Sequence, residues 1–334
     1  MRECFARSVK MLYRSALNKA LDEAMAADSS VVILGEDVGR YGGSYRVSEG
    51  LFAKYGENRV IDTPIAELSI VGNAIGMAIA GLRPVAEIMT VNFSLLAMDQ
   101  IVNHAAKFRY MSGGKMTVPL TVRMPGGVSR QLAAQHSESY ETLYSSIPGL
   151  IVLSASNATY AYHGLKWAIF SNDPVIFLEH ELLYPMEMEF REIKNFDPFK
   201  AEIVKKGKDL TIITYLKMRY DVTEAAKELA KAGIDVEIID LNSLRPLDID
   251  TIAESIKKTK KAVIVEEDHK TGGMGAEIAA QIMETCFYDL DAPVLRIAGA
   301  DVPIPYNRKL ELASIPTPEK ILQQILEWKA QNGI

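Results

Sequence analysis

Residues 59–93, RVIDTPIAELSIVGNAIGMAIAGLRPVAEIMTVNF, decide the fold of this chain. They predict a short strand over 59–62, since the residue before the following proline is biased away from helical backbone. Apolar and small residues then predict a buried helix over 67–80, although each of its glycines weakens a helix by about 1 kcal/mol relative to alanine. A second strand is predicted over 84–89, with Phe93 in the loop beyond it. A strand, a helix and a strand in this order indicate a parallel sheet.

Glu67 is a single carboxylate at the start of this helix, beside an almost uncharged helix surface. An acid in the first turn is common simply because it interacts well with the helix dipole. The functional alternative is a partly desolvated carboxylate that hydrogen-bonds a nitrogen atom of a ligand. The spacing alone favours the first explanation, and the surrounding motifs, described below, favour the second.

Length and composition predict a soluble globular protein of two domains. Of the 334 residues, 48% are hydrophobic and 24% are charged, and the net charge is −6. A negative charge without a lysine or arginine block argues against a nucleic-acid partner, and no apolar run is long enough to span a membrane. Cys4 and Cys286 are too few for a disulfide framework or a cysteine metal cluster, which fits a reducing compartment.

Strands and helices alternate in two series along the chain. After a helix that begins near Val9, the first series has strands near 31–34, 59–62, 84–89, 119–122, 151–154 and 175–178, and helices near 67–80, 94–110 and 157–170. The second has strands near 210–214, 235–240, 262–266 and 293–297, and helices near 219–232, 248–258, 274–288 and 317–330. Periodicity fails between the series. The sequence therefore predicts an α/β fold of two doubly wound domains, 1–185 and 209–334, joined by a linker at 186–208.

Motifs along nearly the whole chain resemble the β subunits of thiamine-diphosphate-dependent 2-oxoacid dehydrogenases, most closely the pyruvate dehydrogenase members. The matching text includes LGEDVGRYGGSYRVSEGL, VIDTPIAE, AGLRPVAEIMTVNFSLLAMDQI, AAQHSE, DPVIFLEHELLY, VIVEEDHKTGG and DVPIPYNRKLE, in this order. The resemblance implies a pyrimidine-binding domain followed by a transketolase C-terminal-like domain. It also implies oxidative decarboxylation of pyruvate and reductive acetylation of lipoyl groups.

The resemblance implies roles for five residues at matching positions. Glu67 matches the glutamate that hydrogen-bonds N1′ of the cofactor's aminopyrimidine and so activates its thiazolium ring. Phe93 matches the aromatic residue on the aminopyrimidine face, while Glu36 and Asp99 match acids between the two active sites of the assembly. His136 would be an ordinary loop histidine by itself, but it matches the histidine that lies near the substrate and the incoming lipoyl group. We expect Glu67 and His136 to be catalytic, and Glu67, Phe93, Glu36 and Asp99 to bind the cofactor.

The resemblance also implies a potassium site made of backbone carbonyls, and one departure from the family. The carbonyls belong to Leu120, Ala168, Ile169, Ser171 and Asp173. Relatives often have glutamine where this chain has Leu96, so a polar contact near the cofactor would be missing.

A missing motif predicts a partner. Thiamine diphosphate needs Mg2+ and a diphosphate cradle, which in this superfamily contains a Gly-Asp-Gly motif, and the sequence has none. The resemblance therefore implies that an α subunit holds the Mg2+ and shares the cofactor in an α2β2 heterotetramer. A dihydrolipoamide acetyltransferase core would receive the acetyl group. The segment 272–275, GGMG, lacks the spacing of a dinucleotide loop and predicts a helix start rather than an NAD site.

Two alternatives stay open. An acetoin dehydrogenase β subunit shares the DTPI-x-E and AAQHS text, and a catalytically silent scaffold could tether an α subunit to the acyltransferase core without needing Glu67 or His136. The N-terminus, which starts at Met1 and contains acidic residues by Asp22, predicts a domain helix rather than a transit peptide. We therefore expect a bacterial cytoplasmic protein, with a plastid or the mitochondrial matrix as the alternative.

Overall fold

The computed structural model describes residues 9–333, so Cys4 lies outside the described residues. Contacts divide the chain into two compact units. Unit 1 comprises residues up to 125 together with 146–198, and unit 2 comprises 126–145 together with the residues from 199 onward. The segment 126–145, which the sequence predicts within the N-terminal domain, thus has most of its contacts in unit 2. The predicted boundaries 1–185 and 209–334 stay predictions.

The elements have the following bounds. The helices are α1 (Tyr13–Ala27), α2 (Leu51–Tyr55), α3 (Glu67–Ile79), α4 (Ala106–Met111), α5 (Glu141–Ser145), α6 (Ala158–Phe170), α7 (Met218–Lys231), α8 (Ile249–Thr259), α9 (Met274–Cys286), α10 (Arg308–Ser314) and α11 (Pro318–Asn332). The strands are β1 (Val9–Leu12), β2 (Val31–Gly35), β3 (Val60–Asp62), β4 (Arg83–Glu87), β5 (Thr121–Gly126), β6 (Ile151–Ser154), β7 (Val175–His180), β8 (Glu187–Phe190), β9 (Glu202–Lys205), β10 (Leu210–Thr214), β11 (Val236–Asp240), β12 (Ser243–Arg245), β13 (Ala262–His269) and β14 (Leu295–Gly299).

Unit 1 is built on a parallel sheet in which the strands lie in the order β6-β7-β5-β4-β2-β3. Strand β2 lies between β3 and β4, with Ile33 aligned to Val60 on one side and to Val85 on the other. All five residues of β2 are buried, as expected of a parallel strand whose sheet is covered on both faces. Helix α3 packs on β4, and α1 packs on α6. The α/β architecture predicted from the alternation is confirmed.

The start of unit 1 differs from the prediction. The helix expected from Val9 begins at Tyr13, because Val9–Leu12 forms β1 and pairs antiparallel with β8. Strand β8 lies in the segment predicted as a linker, and so does β9. The backbone N–H of Tyr13 donates to the carbonyl of Met186 at 3.0 Å, so the pairing continues to the helix start. Helical spacing of apolar residues cannot reveal this pairing, since the partner strand lies far along the chain.

The helix predicted over 94–110 is a succession of three shorter elements. A 3-10 segment at Val91–Ala97 is followed by a π-helical turn at Gln100–Ala105 and then by α4. Irregular helical segments of this kind frequently occur at functional sites.

Unit 2 contains a five-stranded sheet in the order β14-β13-β10-β11-β9. Its strand pairs are parallel except at one edge, where β9 runs antiparallel to β11. Helices α7 and α11 pack together, and their apolar residues join those of β10, β11 and β13 in one buried core. Helix α9 begins at Met274 after Gly273, which confirms the helix start predicted for the glycine-rich segment. Across residues 9–333, we find no helix with the length and apolar character that a membrane crossing requires.

Candidate active site

Glu67 is the first residue of α3, and only 5% of its surface is exposed. The residue before it, Ala66, has no side chain that could cap the helix, so the carboxylate of Glu67 is the acidic group at this helix start. A helix start favours negative charge because its backbone N–H groups point outward. Glu36 follows β2 directly, and burial, together with the charges of Asp37 and Glu67, raises the pKa of its carboxyl group. Two of the predicted acids therefore lie close to each other in unit 1.

Exposed apolar side chains lie on both sides of Glu67 in the sequence. The side chain of Ile65 is 72% exposed and that of Leu68 is 53% exposed. A methyl group added to Gly76 would meet no atom within 4 Å, and one added to Gly72 would lie 3.4 Å from the side-chain oxygen of Gln100. Glycines in a helix cost stability. Here Gly76 leaves a shallow surface onto which another chain could pack, whereas Gly72 lies against Gln100.

Phe93 and Leu96 lie on the 3-10 segment Val91–Ala97, which packs against α3. The backbone N–H of Phe93 donates to the carbonyl of Thr90 at 3.0 Å, and its side chain is half-buried. Leu96 is exposed, so the position where relatives often have glutamine presents an apolar side chain to the surface. The packing of these two elements brings the predicted aromatic residue to the helix that carries Glu67.

Asp99 is exposed and interacts with its own helical neighbours. Its carboxylate accepts a hydrogen bond from the side-chain amide of Asn103 at 2.7 Å and lies 3.8 Å from Nδ1 of His104. These contacts are the ordinary ones of a solvated acid on a helix, and its role at the cofactor stays a prediction.

A buried ionic network that the sequence does not predict lies near the carboxyl ends of three neighbouring strands. Arg123 on β5 donates to both oxygens of Glu179 on β7, from Nε at 2.8 Å and from Nη2 at 2.7 Å, and its Nη1 donates to Glu87 on β4. The hydroxyl of Tyr184 donates to Glu179 at 2.6 Å. All four side chains are buried, and burial raises the pKa of the Glu87 carboxyl group. The sequence signal that could have revealed this network is the presence of charged residues inside strands that are otherwise apolar.

His136 is exposed and lies in unit 2, on a loop that spans residues 127–138. A backbone hydrogen bond from Gly127 N–H to the Glu138 carbonyl, at 2.9 Å, closes the base of the loop. Three residues that are not glycine have positive φ angles: Arg130 at 49°, Gln131 at 64° and Ala133 at 64°. Left-handed backbone costs an ordinary residue roughly 1–2 kcal/mol. The chain just before His136 is therefore strained.

Each of the five carbonyls predicted to bind potassium accepts a hydrogen bond from this chain. The guanidinium of Arg83 donates to the carbonyls of Ile169, at 3.2 Å, and Ser171, at 2.9 Å. The other three carbonyls accept from Val175 N–H, from Ser171 N–H and from the Ser171 hydroxyl; they belong to Leu120, Ala168 and Asp173. A potassium ion would have to share two of its ligands with a guanidinium, which is itself a cation. A carbonyl oxygen keeps a second lone pair after it accepts one hydrogen bond, so these contacts leave the potassium site a prediction.

Comparisons with known proteins agree with this architecture. Residues 9–187 match the family model of the transketolase pyrimidine binding domain, and residues 199–321 match that of the transketolase C-terminal domain. The chain also resembles a solved split-gene transketolase, described as an inactive beta4 tetramer, with a TM-score of 0.79 and 24% identity over 96% of this chain and 98% of that one. The fold and the match over residues 9–187 thus define a protein of the transketolase pyrimidine-binding class.

Two curated relatives identify the family within this class. The pyruvate dehydrogenase E1 component subunit beta of Porphyra purpurea is 51% identical over 317 residues, which cover 95% of this chain and 96% of that protein. The mitochondrial pyruvate dehydrogenase E1 component subunit beta-2 of Oryza sativa subsp. japonica is 48% identical over 323 residues, covering 95% and 86%. The chain belongs to the family of pyruvate dehydrogenase E1 component beta subunits.

Proposed function

We propose that this chain acts as the β subunit of a pyruvate dehydrogenase (acetyl-transferring). With an α subunit, it would carry out the thiamine-diphosphate-dependent oxidative decarboxylation of pyruvate and the reductive acetylation of lipoyl groups. The observation that carries this proposal is a buried carboxylate, Glu67, at the start of α3 beside an open apolar surface. It occurs in a chain that is about half identical, over nearly its whole length, to pyruvate dehydrogenase beta subunits.

The residues around Glu67 fit the aminopyrimidine half of thiamine diphosphate. A buried carboxylate can accept a hydrogen bond from a protonated ring nitrogen, and low exposure strengthens that interaction. Phe93 offers an aromatic side chain on the 3-10 segment that packs against α3. The bound cofactor would supply the electron sink that decarboxylation of a 2-oxo acid requires. The role of Glu67 would be to hold a proton at the ring nitrogen that faces it.

His136 would act on the substrate side. Its imidazole is exposed on the loop 127–138, so it can be reached by a small acid and by a lipoyl group on another protein. Imidazole both donates and accepts protons near neutral pH, which suits proton transfer during acetyl transfer. Glu36 and Asp99 would contribute negative charge near the cofactor.

The apolar surface beside Glu67 supports a partner subunit. Exposed leucine and isoleucine side chains that cluster on two packed elements are typical of protein interfaces; here they are Ile65, Leu68, Leu95 and Leu96. Because the sequence has no Gly-Asp-Gly motif, we propose that an α subunit holds Mg2+ and the diphosphate in an α2β2 assembly. A dihydrolipoamide acetyltransferase core would receive the acetyl group. The potassium site and the bacterial cytoplasmic location stay predictions.

Calorimetric titration of thiamine diphosphate with Mg2+ tests the shared cofactor site. We expect binding to the chain co-expressed with its α subunit and no binding to the chain alone. In the assembled enzyme, Glu67→Gln should lower pyruvate decarboxylation, assayed with an artificial electron acceptor, by about 100-fold or more. The matched control Glu57→Gln removes an exposed acid of the same unit and should have no effect.

His136→Ala should leave cofactor binding intact and lower acetyl transfer to a lipoyl domain. Full activity of Glu67→Gln would favour the silent scaffold instead. Turnover of acetoin in preference to pyruvate would favour acetoin dehydrogenase.

A further inference from the structure

The strained loop 127–138 is held in place by two buried carboxylates that come from distant parts of unit 2. Glu311, on α10, accepts a hydrogen bond from the backbone N–H of Gln131 at 2.8 Å. Glu267, on β13, accepts one from the backbone N–H of Val128. A loop in which backbone N–H groups donate to buried carboxylates is held more firmly than one hydrogen-bonded to water, because charge-assisted hydrogen bonds are short and strong.

Glu311 is in a position to fix the most strained part of the loop. Its side chain is fully buried, and the guanidinium of Arg308, one turn earlier on α10, donates to its other oxygen. The contact with Arg308 thus holds the carboxylate from the side opposite to the loop. Gln131, whose N–H it accepts, has a φ of 64°. The side-chain amide of Gln131 also donates to the carbonyl of Tyr306 at 3.3 Å, so this residue is bound from two sides.

The direction of the chain beyond Gln131 depends on its unusual backbone angle. Ala133 also has a positive φ, and its carbonyl accepts the N–H of His136 at 3.2 Å, which closes the turn that presents the imidazole. Without the acceptor at Glu311, the Gln131 N–H would lose its partner, and an ordinary residue would return to φ below zero. That rotation would redirect the following residues, including His136. Backbone strain that surrounding contacts maintain is characteristic of functional sites.

We propose that Glu311 is a positioning residue for His136: it holds the left-handed backbone at Gln131, and thereby sets where the imidazole meets the lipoyl group. Glu267 anchors the same loop at its first turn. The proposal rests on the proposed role of His136 in acetyl transfer. Glu311 itself touches neither the substrate nor the cofactor.

The test uses the assembled enzyme with its α subunit and a lipoyl domain as acceptor. Glu311→Ala should lower acetyl transfer about 10- to 100-fold, since small displacements of a catalytic group cost that much, while decarboxylation measured with an artificial electron acceptor changes much less. Glu311→Gln keeps an oxygen that can accept the Gln131 N–H and should recover most of the transfer rate. Glu237→Ala is the matched control, because Glu237 is also buried in unit 2, accepts a backbone N–H, from Gly207 at 3.3 Å, and pairs with one cation, Lys258.

A second measurement does not depend on activity. Arg130 is exposed within the loop, so trypsin cleavage after Arg130 reports how often the loop opens. We expect faster cleavage in Glu311→Ala than in the unchanged protein or in Glu237→Ala. Equal cleavage rates in Glu311→Ala and Glu237→Ala would overturn the anchoring role.

The double variant Glu311→Ala/His136→Ala separates positioning from general destabilisation. If Glu311 acts through His136, the double variant should transfer acetyl groups no more slowly than His136→Ala alone, because the two changes disrupt one unit. If the fold-losses of the two single variants multiply in the double variant, the proposal is overturned. If His136→Ala alone leaves acetyl transfer unchanged, the proposed role of His136 fails and the positioning role of Glu311 fails with it. If transfer is slow in His136→Ala but unchanged in Glu311→Ala, only the positioning role of Glu311 fails.

Discussion

Replacing Arg123 by methionine should destabilise unit 1 strongly, and more at high pH than at low pH. The substitution keeps the apolar stem of the side chain and removes three hydrogen bonds to Glu87 and Glu179. Both carboxylates stay buried, with exposed fractions of 6% and 0%. Removing one partner of a buried ion pair typically costs about 3–5 kcal/mol, since a charge is left in the interior without compensation. The hydroxyl of Tyr184 still donates to Glu179, so we expect the cost to stay within that range.

The pH dependence follows from the direction of the pKa shift at Glu87. Burial raises the pKa of this carboxyl group, and Arg123 opposes that rise. Without the guanidinium, the pKa should rise further, so the folded variant binds a proton more tightly than the unfolded chain does. Stability then falls as pH increases from the unfolded pKa towards the raised folded pKa. The variant should therefore lose more free energy of unfolding at pH 8 than at pH 5.5.

Urea unfolding of the chain at both pH values measures this loss. With an m-value of about 2 kcal/mol per M, the expected shift of the midpoint at pH 8 is about 1.5–2.5 M. Lys231→Met removes a cation from an exposed pair with Glu228, and as a surface change it should alter stability by less than about 0.5 kcal/mol. A loss below about 1 kcal/mol for Arg123→Met at pH 8, or a larger loss at pH 5.5, would refute this account of the network.

Two further substitutions test local features. Burial pushes the pKa of Glu23 up, but hydrogen bonds from Lys166 and two neighbouring side chains outweigh it and hold the pKa at about 2. The stability that Glu23 contributes should be fully present above its unfolded pKa and lost as pH falls towards 2. The melting temperatures of Glu23→Gln and of the unchanged protein should therefore converge in acid. A difference in melting temperature that stays constant with pH would contradict this. Gly149 has a φ of 98°, and a methyl group there would lie 2.1 Å from the carbonyl oxygen of Ala106. Gly149→Ala should cost about 3 kcal/mol in urea unfolding, whereas Gly113→Ala, with a positive φ but open space, should cost about 1 kcal/mol; equal costs would exclude the clash.

The elements that the sequence predicts best are the buried strands. Strands β6 and β10 have the predicted bounds, 151–154 and 210–214, because a strand covered on both faces is a continuous apolar run with clear ends. Edge strands give a weaker signal. Strand β8, EMEF, alternates exposed and buried residues and carries the period of a half-buried strand, but it is only four residues long within a polar segment. Its partner β1 adjoins a helix whose apolar spacing extends through it.

The candidate site shows the same division between local and long-range information. The position of Glu67 at the start of a buried helix could be predicted, because its strand, proline and helix start lie within a few residues of each other. Its role at the cofactor comes from the resemblance and stays a prediction. Arg123, Glu87 and Glu179 could not be predicted, since a charged residue in an apolar run becomes favourable only when a partner of opposite charge lies on a neighbouring strand. The order of the strands in the sheet, which brings these three residues together, cannot be inferred from any short segment of the sequence. Charged residues inside predicted strands are therefore useful indicators, and they should be matched for opposite charge once a strand order is known.

The loop that carries His136 extends this reasoning to backbone conformation. Three residues of the loop, Arg130, Gln131 and Ala133, have left-handed backbone angles but are not glycines. The local sequence therefore gives no indication of the strain. The carboxylates that maintain it are 139 residues away from Val128 and 180 residues away from Gln131. A motif such as AAQHS thus locates the imidazole along the chain but not what holds it in place. If Glu311 positions the loop as proposed, a substitution in α10 will change acetyl transfer without altering any residue of that motif.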